Sequence, residues 1–123
     1  MPRILVAEDD EPVRTLVARA LSEHGHEVVT AEDGGAALET LTREQGRFDL
    51  LLTDIKMPVM DGIALALAAA RDHPDVTILL MTGYADQRER AHGLDALIHD
   101  VITKPLSVAG IRAAVDEALA SRR

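Results

Sequence analysis

The sequence predicts an α/β domain: a parallel sheet covered on both faces by helices. Three observations carry that expectation. Five strand-like runs, at 3–7, 27–31, 49–54, 76–81 and 98–103, alternate with segments whose apolar residues recur at helical spacing. The strongest run, Leu50-Leu51-Leu52, shows no polar alternation, as a strand buried on both faces requires. The connections are short, and alternation of this kind implies right-handed crossovers and parallel neighbours in a doubly wound sheet.

Each element has a local reason. Arg3-Ile-Leu-Val-Ala7 is apolar and stops at Glu8-Asp9-Asp10. Pro12 suits the first turn of a helix, with Val13, Leu16, Val17, Ala20 and Leu21 on its inner face and Gly25 as its stop. Glu27 to Ala31 is the second strand. Asp33-Gly34 opens a helix that turns Ala37, Leu38 and Leu41 inward and ends by Gly46. The central strand runs from 49 to 54, after which Pro58 and Asp61-Gly62 supply turn chemistry. Ile63 to Asp72 is an alanine-rich helix closed by His73-Pro74, and Val76 to Met81 is the most β-like run in the chain. The polar stretch from Ala85 to Gly93 is expected to form a fourth helix that buries little. Ile98 to Thr103 is a weaker strand, interrupted by His99 and Asp100. Ser107 can cap a fifth helix with a stripe of Val108, Ile111, Val115, Ala118 and Leu119.

Composition removes several classes of function. With 123 residues the chain makes one domain with one proper core, and 47% hydrophobic content excludes disorder. Phe48 and Tyr84 are the only aromatics, so the core must be aliphatic. A formal charge of −8 argues against nucleic-acid binding, and the terminal Arg122-Arg123 pair is too small to overturn it. The absence of cysteine excludes disulfides and thiolate metal sites. There is neither a signal-like N-terminus nor an apolar run of membrane-spanning length, so a cytoplasmic location is expected.

Four of the five strands end in a polar or charged residue: Glu8 and Asp9, Asp54, Thr82, and Lys104. In doubly wound sheets that edge is where ligands sit. Three carboxylates converging there repel one another, which raises pKa values or demands a cation. Oxygen ligands without His or Cys select a hard metal, and Mg²⁺ fits best. One Mg²⁺ and Lys104 would balance Glu8, Asp9 and Asp54 and leave a neutral site for another anion. A metal, an ammonium and the Thr82 hydroxyl around one carboxylate are what phosphoryl transfer to Asp54 requires. Singly, each residue has a plainer reading as a turn, a helix cap or a solvated side chain; jointly they make a site.

These residues carry a resemblance. Ala-Glu-Asp-Asp (7–10), Thr-Asp-Ile-Lys-Met-Pro-Val-Met-Asp-Gly (53–62), Thr-Gly-Tyr (82–84) and Lys-Pro (104–105) resemble the receiver domains of two-component response regulators, the CheY-like superfamily. The resemblance implies a five-stranded sheet in the order 2-1-3-4-5 with five helices, and Asp54 as phosphoacceptor. It implies Mg²⁺ held directly by Asp9 and Asp54, through water by Glu8, and by the backbone carbonyl of Lys56. Thr82 and Lys104 would sense the phosphoryl group, and Pro105 would follow a cis peptide. Where many receivers carry an aromatic three residues before the lysine, this chain has Val101, which argues against the familiar rotamer switch. Tyr84, with Lys56, is expected instead to overhang the phosphoryl group and hinder water. The face formed by the fourth helix, fifth strand and last helix is expected to carry the change.

Residues 82–96 and 99–105 are most similar to stand-alone receivers of the CpdR type. That implies phosphate from a sensor histidine kinase or a histidine phosphotransfer protein, and a role as adaptor for the ClpX protease machinery. No output module follows the last helix, so protein binding is the expected output. The alternatives are a phosphate sink or a pseudo-receiver that never takes phosphate. A haloacid-dehalogenase-type phosphatase would need an aspartate where Lys56 stands, and Glu8-Asp9-Asp10 would repel the phosphate of a flavodoxin's FMN. The five histidines, 24, 26, 73, 92 and 99, fall in helix ends and loops and receive no catalytic role.

Overall fold

The computed structural model describes residues 2–83, 91–94, 96–104 and 106–121. In chain order these form β1 (Arg3–Ala7), α1 (Glu11–Ser22), β2 (Glu27–Ala31), α2 (Gly34–Arg43), β3 (Leu50–Asp54), α3 (Gly62–Asp72) and β4 (Thr77–Thr82). A 3-10 turn (His92–Leu94), β5 (Asp100–Thr103) and α4 (Val108–Ser121) follow. Four α-helices thus stand among the described residues, and most of the helix expected over 85–93 lies outside them. The sheet is wholly parallel in the order β2-β1-β3-β4-β5.

The leucine runs fold as strands because the sheet has two dry faces. Leu5, Leu51, Ile78 and Leu80 enter a core against α2 and α3 that includes Ala37, Leu41, Leu65 and Ala69. Their neighbours Ile4, Val6, Leu50, Leu52, Leu79 and Met81 enter the opposite core with Val17, Leu21, Ile111 and Val115. Successive side chains alternate between faces, so both must be apolar when both are covered. The edge strands β2 and β5, by contrast, keep exposed residues.

The helices start where capping chemistry puts them. Asp10, Asp33 and Asp61 accept hydrogen bonds from the backbone N–H groups of Val13, Ala36 and Ala64, and the Ser107 hydroxyl accepts from Gly110. Two side chains assigned to inner stripes are exposed: Leu16 at 41% and Val108 at 37%. Both line a shallow groove between α1 and α4 with Pro12, Thr15 and Arg19. Periodicity gives the side of a helix that is apolar, but not how far the neighbouring element reaches across it.

At the amino end of the sheet, Arg3 ties the strands to the loops beneath them. It donates to Glu27 at 2.5 Å, Glu44 at 2.6 Å and the Arg47 carbonyl at 2.7 Å, and its guanidinium lies 4.5 Å from the Phe48 ring centroid. Among the described residues no helix is long and apolar enough to cross a membrane.

Candidate functional site

The register brings the predicted residues to one edge. Ala7 pairs with Thr53, Asp54 with Met81, and Thr82 with Thr103, so Glu8, Asp54, Thr82 and Lys104 leave four adjacent strands at nearly the same height. The acidic triplet after β1 divides its labour. Asp10 caps α1, while Glu8 turns into the protein, fully buried, and Asp9 stays exposed. One oxygen from each of Glu8, Asp9 and Asp54 lies within 4.8 Å of the others.

Lys104 reaches across the edge from the end of β5. Its Nζ donates to Glu8 Oε1 at 3.0 Å and to Asp54 Oδ2 at 3.2 Å, the second at 7% exposure of the aspartate. The other oxygen of Asp54, Oδ1, accepts the backbone N–H of Ile55 at 3.0 Å. Burial first, and then the adjacent Asp54, push the Glu8 carboxyl up to about 8 against the pull of Lys104. Burial opposes the charge on Lys104, but Glu8 and Asp54 outweigh it and hold the ammonium above its ordinary range.

The open cleft above these groups is lined by Glu8, Asp9, Asp10, Asp54, Lys56, Met57, Pro58 and Lys104. Lys56 is exposed there. Thr82 is buried at 2% exposure and is not one of the lining residues. Val101 is half-buried and packs against the core beside α2 and α3, so the place of the usual aromatic is taken by a small side chain already turned inward. Tyr84 and Pro105, and with them the expected overhang and cis peptide, lie outside the described residues.

The donor set suits a hard cation. It offers only oxygens, three carboxylates face one lysine, and Glu8 Oε2 is buried with no hydrogen-bond partner among the described residues. An orphan of this kind is costly in a dry site and is what a cation or its bound water would satisfy.

Two supports were not legible in the sequence. Arg14, on α1, donates to the Glu8 carbonyl at 2.9 Å and fixes the acidic turn from behind. Nothing marks it among the other surface arginines. Gly62 lets the loop after β3 fold back under Asp54: its N–H meets the Ile55 carbonyl at 2.7 Å, and a Cβ there would stand 2.0 Å from the Asp54 carbonyl oxygen. The Asp61-Gly62 pair signalled a turn but not this close approach.

Comparison with known proteins bears on the same residues. The model of the response regulator receiver domain matches residues 4–116. The chain is 47% identical over 85 residues to the response regulator receiver protein CpdR of Brucella abortus, covering 69% of each. It is 37% identical over 122 residues to the transcriptional regulatory protein PrrA of Mycobacterium tuberculosis, covering 99% of this chain but 51% of that longer protein. The response regulator TrrA of Thermotoga maritima, solved in complex with Mg²⁺-BeF, superposes with a TM-score of 0.84 at 30% identity over 96% of this chain and 99% of that one. The match runs through all five strands and the acidic edge they share, and the chain belongs to the response regulator receiver domain family.

Proposed function

We propose that the chain is a response regulator receiver whose Asp54 accepts a phosphoryl group from a phosphohistidine, on a sensor histidine kinase or a histidine phosphotransfer protein. The observation that carries this is the bracketing of Asp54 by Lys104 at 3.2 Å within a cluster of three carboxylates. In the reaction Asp54 Oδ2 attacks phosphorus in line, the N–P bond of the donor breaks and an O–P bond forms. Lys104 already touches that oxygen, and its charge opposes the build-up on the phosphoryl oxygens. The Ile55 N–H holds Oδ1 and so fixes the carboxylate plane. Glu8, Asp9, Asp54 and the Lys56 carbonyl would hold Mg²⁺, which supplies the positive charge that lets an anionic donor approach an anionic acceptor. Thr82 would contact the phosphoryl group from the end of β4.

The module acts on itself rather than on a metabolite, and its output is protein binding. Phosphorylation adds about 2 negative charges at one point. Drawn toward them, Thr82 and Lys104 would bias the ends of β4 and β5. We place the protein in the cytoplasm, and the likeness to CpdR supports a partner in the ClpX protease machinery. Incubation with Mg²⁺ and acetyl phosphate, followed by intact mass measurement, tests the chemistry. One phosphoryl group is expected on wild type and none on Asp54→Asn; equal uptake by both, or none by either, overturns the reading. Retention of ClpX by the unphosphorylated but not the phosphorylated form tests the output.

A further inference from the structure

A second cluster of ligand-type side chains lies at the opposite edge of the sheet, where α1 turns into β2 beneath the end of α4. We propose that His24, His26 and Asp116 form a binding site for a divalent transition metal of the zinc type, separate from the acidic edge. One atom from each residue lies within 4.8 Å of the others. His24 Nε2 is 2.9 Å from Asp116 Oδ2 and 3.2 Å from Oδ1, and His26 Nε2 is 3.9 Å from Oδ1. Ligands about a tetrahedral zinc with bonds of about 2.0–2.2 Å stand roughly 3.3 Å apart. The pairs on Asp116, at 2.9 and 3.9 Å, straddle that spacing.

His26 is the residue that calls for a ligand. Its side chain is 9% exposed, and neither ring nitrogen has a hydrogen-bond partner among the described residues. A buried imidazole with both nitrogens unsatisfied costs free energy that ordinary packing does not return. The plainer reading, a surface hydrogen bond between His24 and Asp116, accounts for His24 and leaves His26 unexplained.

The backbone is built to hold the pair. Gly25 takes φ +97°, which closes α1: the Gly25 N–H reaches the Ser22 carbonyl at 3.2 Å and the His26 N–H reaches Leu21 at 3.2 Å. That left-handed turn brings the two rings to a centroid separation of 5.6 Å at an interplanar angle of 66°. On the other side, Arg112 donates to the Ala20 carbonyl at 2.8 Å and seats α4 against α1 one turn before Asp116. Two imidazoles and a carboxylate are borderline ligands, unlike the oxygen-only set around Asp54, and they leave a fourth position for water.

Tag-free full-length protein in millimolar Mg²⁺, which occupies the acidic edge, is titrated with Co²⁺ followed by visible absorption and with Zn²⁺ followed by calorimetry. One ion per chain is expected, with a d–d spectrum of four-coordinate type. Affinity should fall about tenfold or more in His24→Ala and in Asp116→Asn, whose side chains are partly exposed and whose loss leaves the core intact. Both variants should take phosphate from acetyl phosphate as wild type does. Zn²⁺ should raise the melting temperature of wild type by about 5 °C and that of the variants by less. Absence of Co²⁺ and Zn²⁺ binding in Mg²⁺, binding unchanged in both variants, or binding abolished by Asp54→Asn instead would overturn the proposal.

Discussion

The two ends of the sheet handle charge in opposite ways. At the amino end, Arg3 is surrounded by Glu27, Glu44, the Arg47 carbonyl and the face of Phe48, so its donors are matched and its charge is spread over several partners. At the carboxyl end, Glu8 is fully buried with one oxygen on Lys104 and the other without a hydrogen-bond partner among the described residues, and its carboxyl is pushed up to about 8. Matching charges at an edge supports the fold; leaving them mismatched beside a cleft creates demand for a ligand, at a cost in stability. The contrast sets the carboxyl end apart as the edge where buried charge is left unmatched, without reference to any motif.

Substitutions at the two ends should separate along that line. The largest effect is expected at the carboxyl end from Gly62→Ala. The added methyl would collide with the Asp54 carbonyl at 2.0 Å, so urea unfolding should show a loss on the order of 3 kcal/mol, with slower uptake from acetyl phosphate.

Next comes Glu8→Gln. Glu8 retains its proton in the folded chain up to about 8 but loses it near 4.5 when unfolded, so its contribution is complete below about 4.5 and disappears as pH rises toward 8. Metal-free wild type should therefore lose on the order of 2 kcal/mol relative to Glu8→Gln between pH 5 and 8. His26, held low, slopes the other way in both proteins and cancels in that difference. Parallel pH profiles for the two proteins would remove the strain assigned to Glu8.

At the amino end, Arg3→Ala should lower the unfolding midpoint modestly, less in high salt, because the pairs with Glu27 and Glu44 are partly exposed and screened. Phosphoryl uptake should be unchanged. A loss of uptake would show that the two ends are coupled and not merely different.

The smallest effect is at Val59, 86% exposed in the loop beyond the cleft with φ +70°, a conformation that a β-branched residue adopts only under strain. Val59→Gly should gain up to about 1 kcal/mol in denaturant unfolding, with phosphoryl uptake preserved.

The sequence was most readable where one physical cause dominated. Continuous apolar runs located β1, β3 and β4 within a residue or so, because burial on both faces allows no other pattern. Asp33 and Ser107 announced helix starts because a short polar side chain is the best partner for free N–H groups, whereas Asp61, read as turn chemistry, caps α3 as well. Glu8, Asp9, Asp54 and Lys104 were legible because three strands ending in charged residues in one parallel sheet must bring their ends together. What stayed hidden depended on distances between surfaces. Leu16 and Val108 obey helical periodicity yet stand outside the core. His24 and His26 are near neighbours in sequence, but Asp116 is some ninety residues away, and only the packing of α4 on α1 brings it to them. Arg14 and Arg3 belong to the same class, since an arginine's partners are set by the tertiary fold.

The partition of β3 has a mechanical corollary. Leu51 is gripped on one side of the sheet while Leu50 and Leu52 are gripped on the other, so the strand that carries Asp54 is clamped like a board in a double vice. A tug at the aspartate has little freedom to slide that board lengthwise or roll it. Displacement would meet least resistance at β5, one strand beyond β4, which keeps open flanks and is followed by the lysine that touches the aspartate. A tightly held centre beside a more open margin would give any change at the acidic edge a preferred direction, outward to β5.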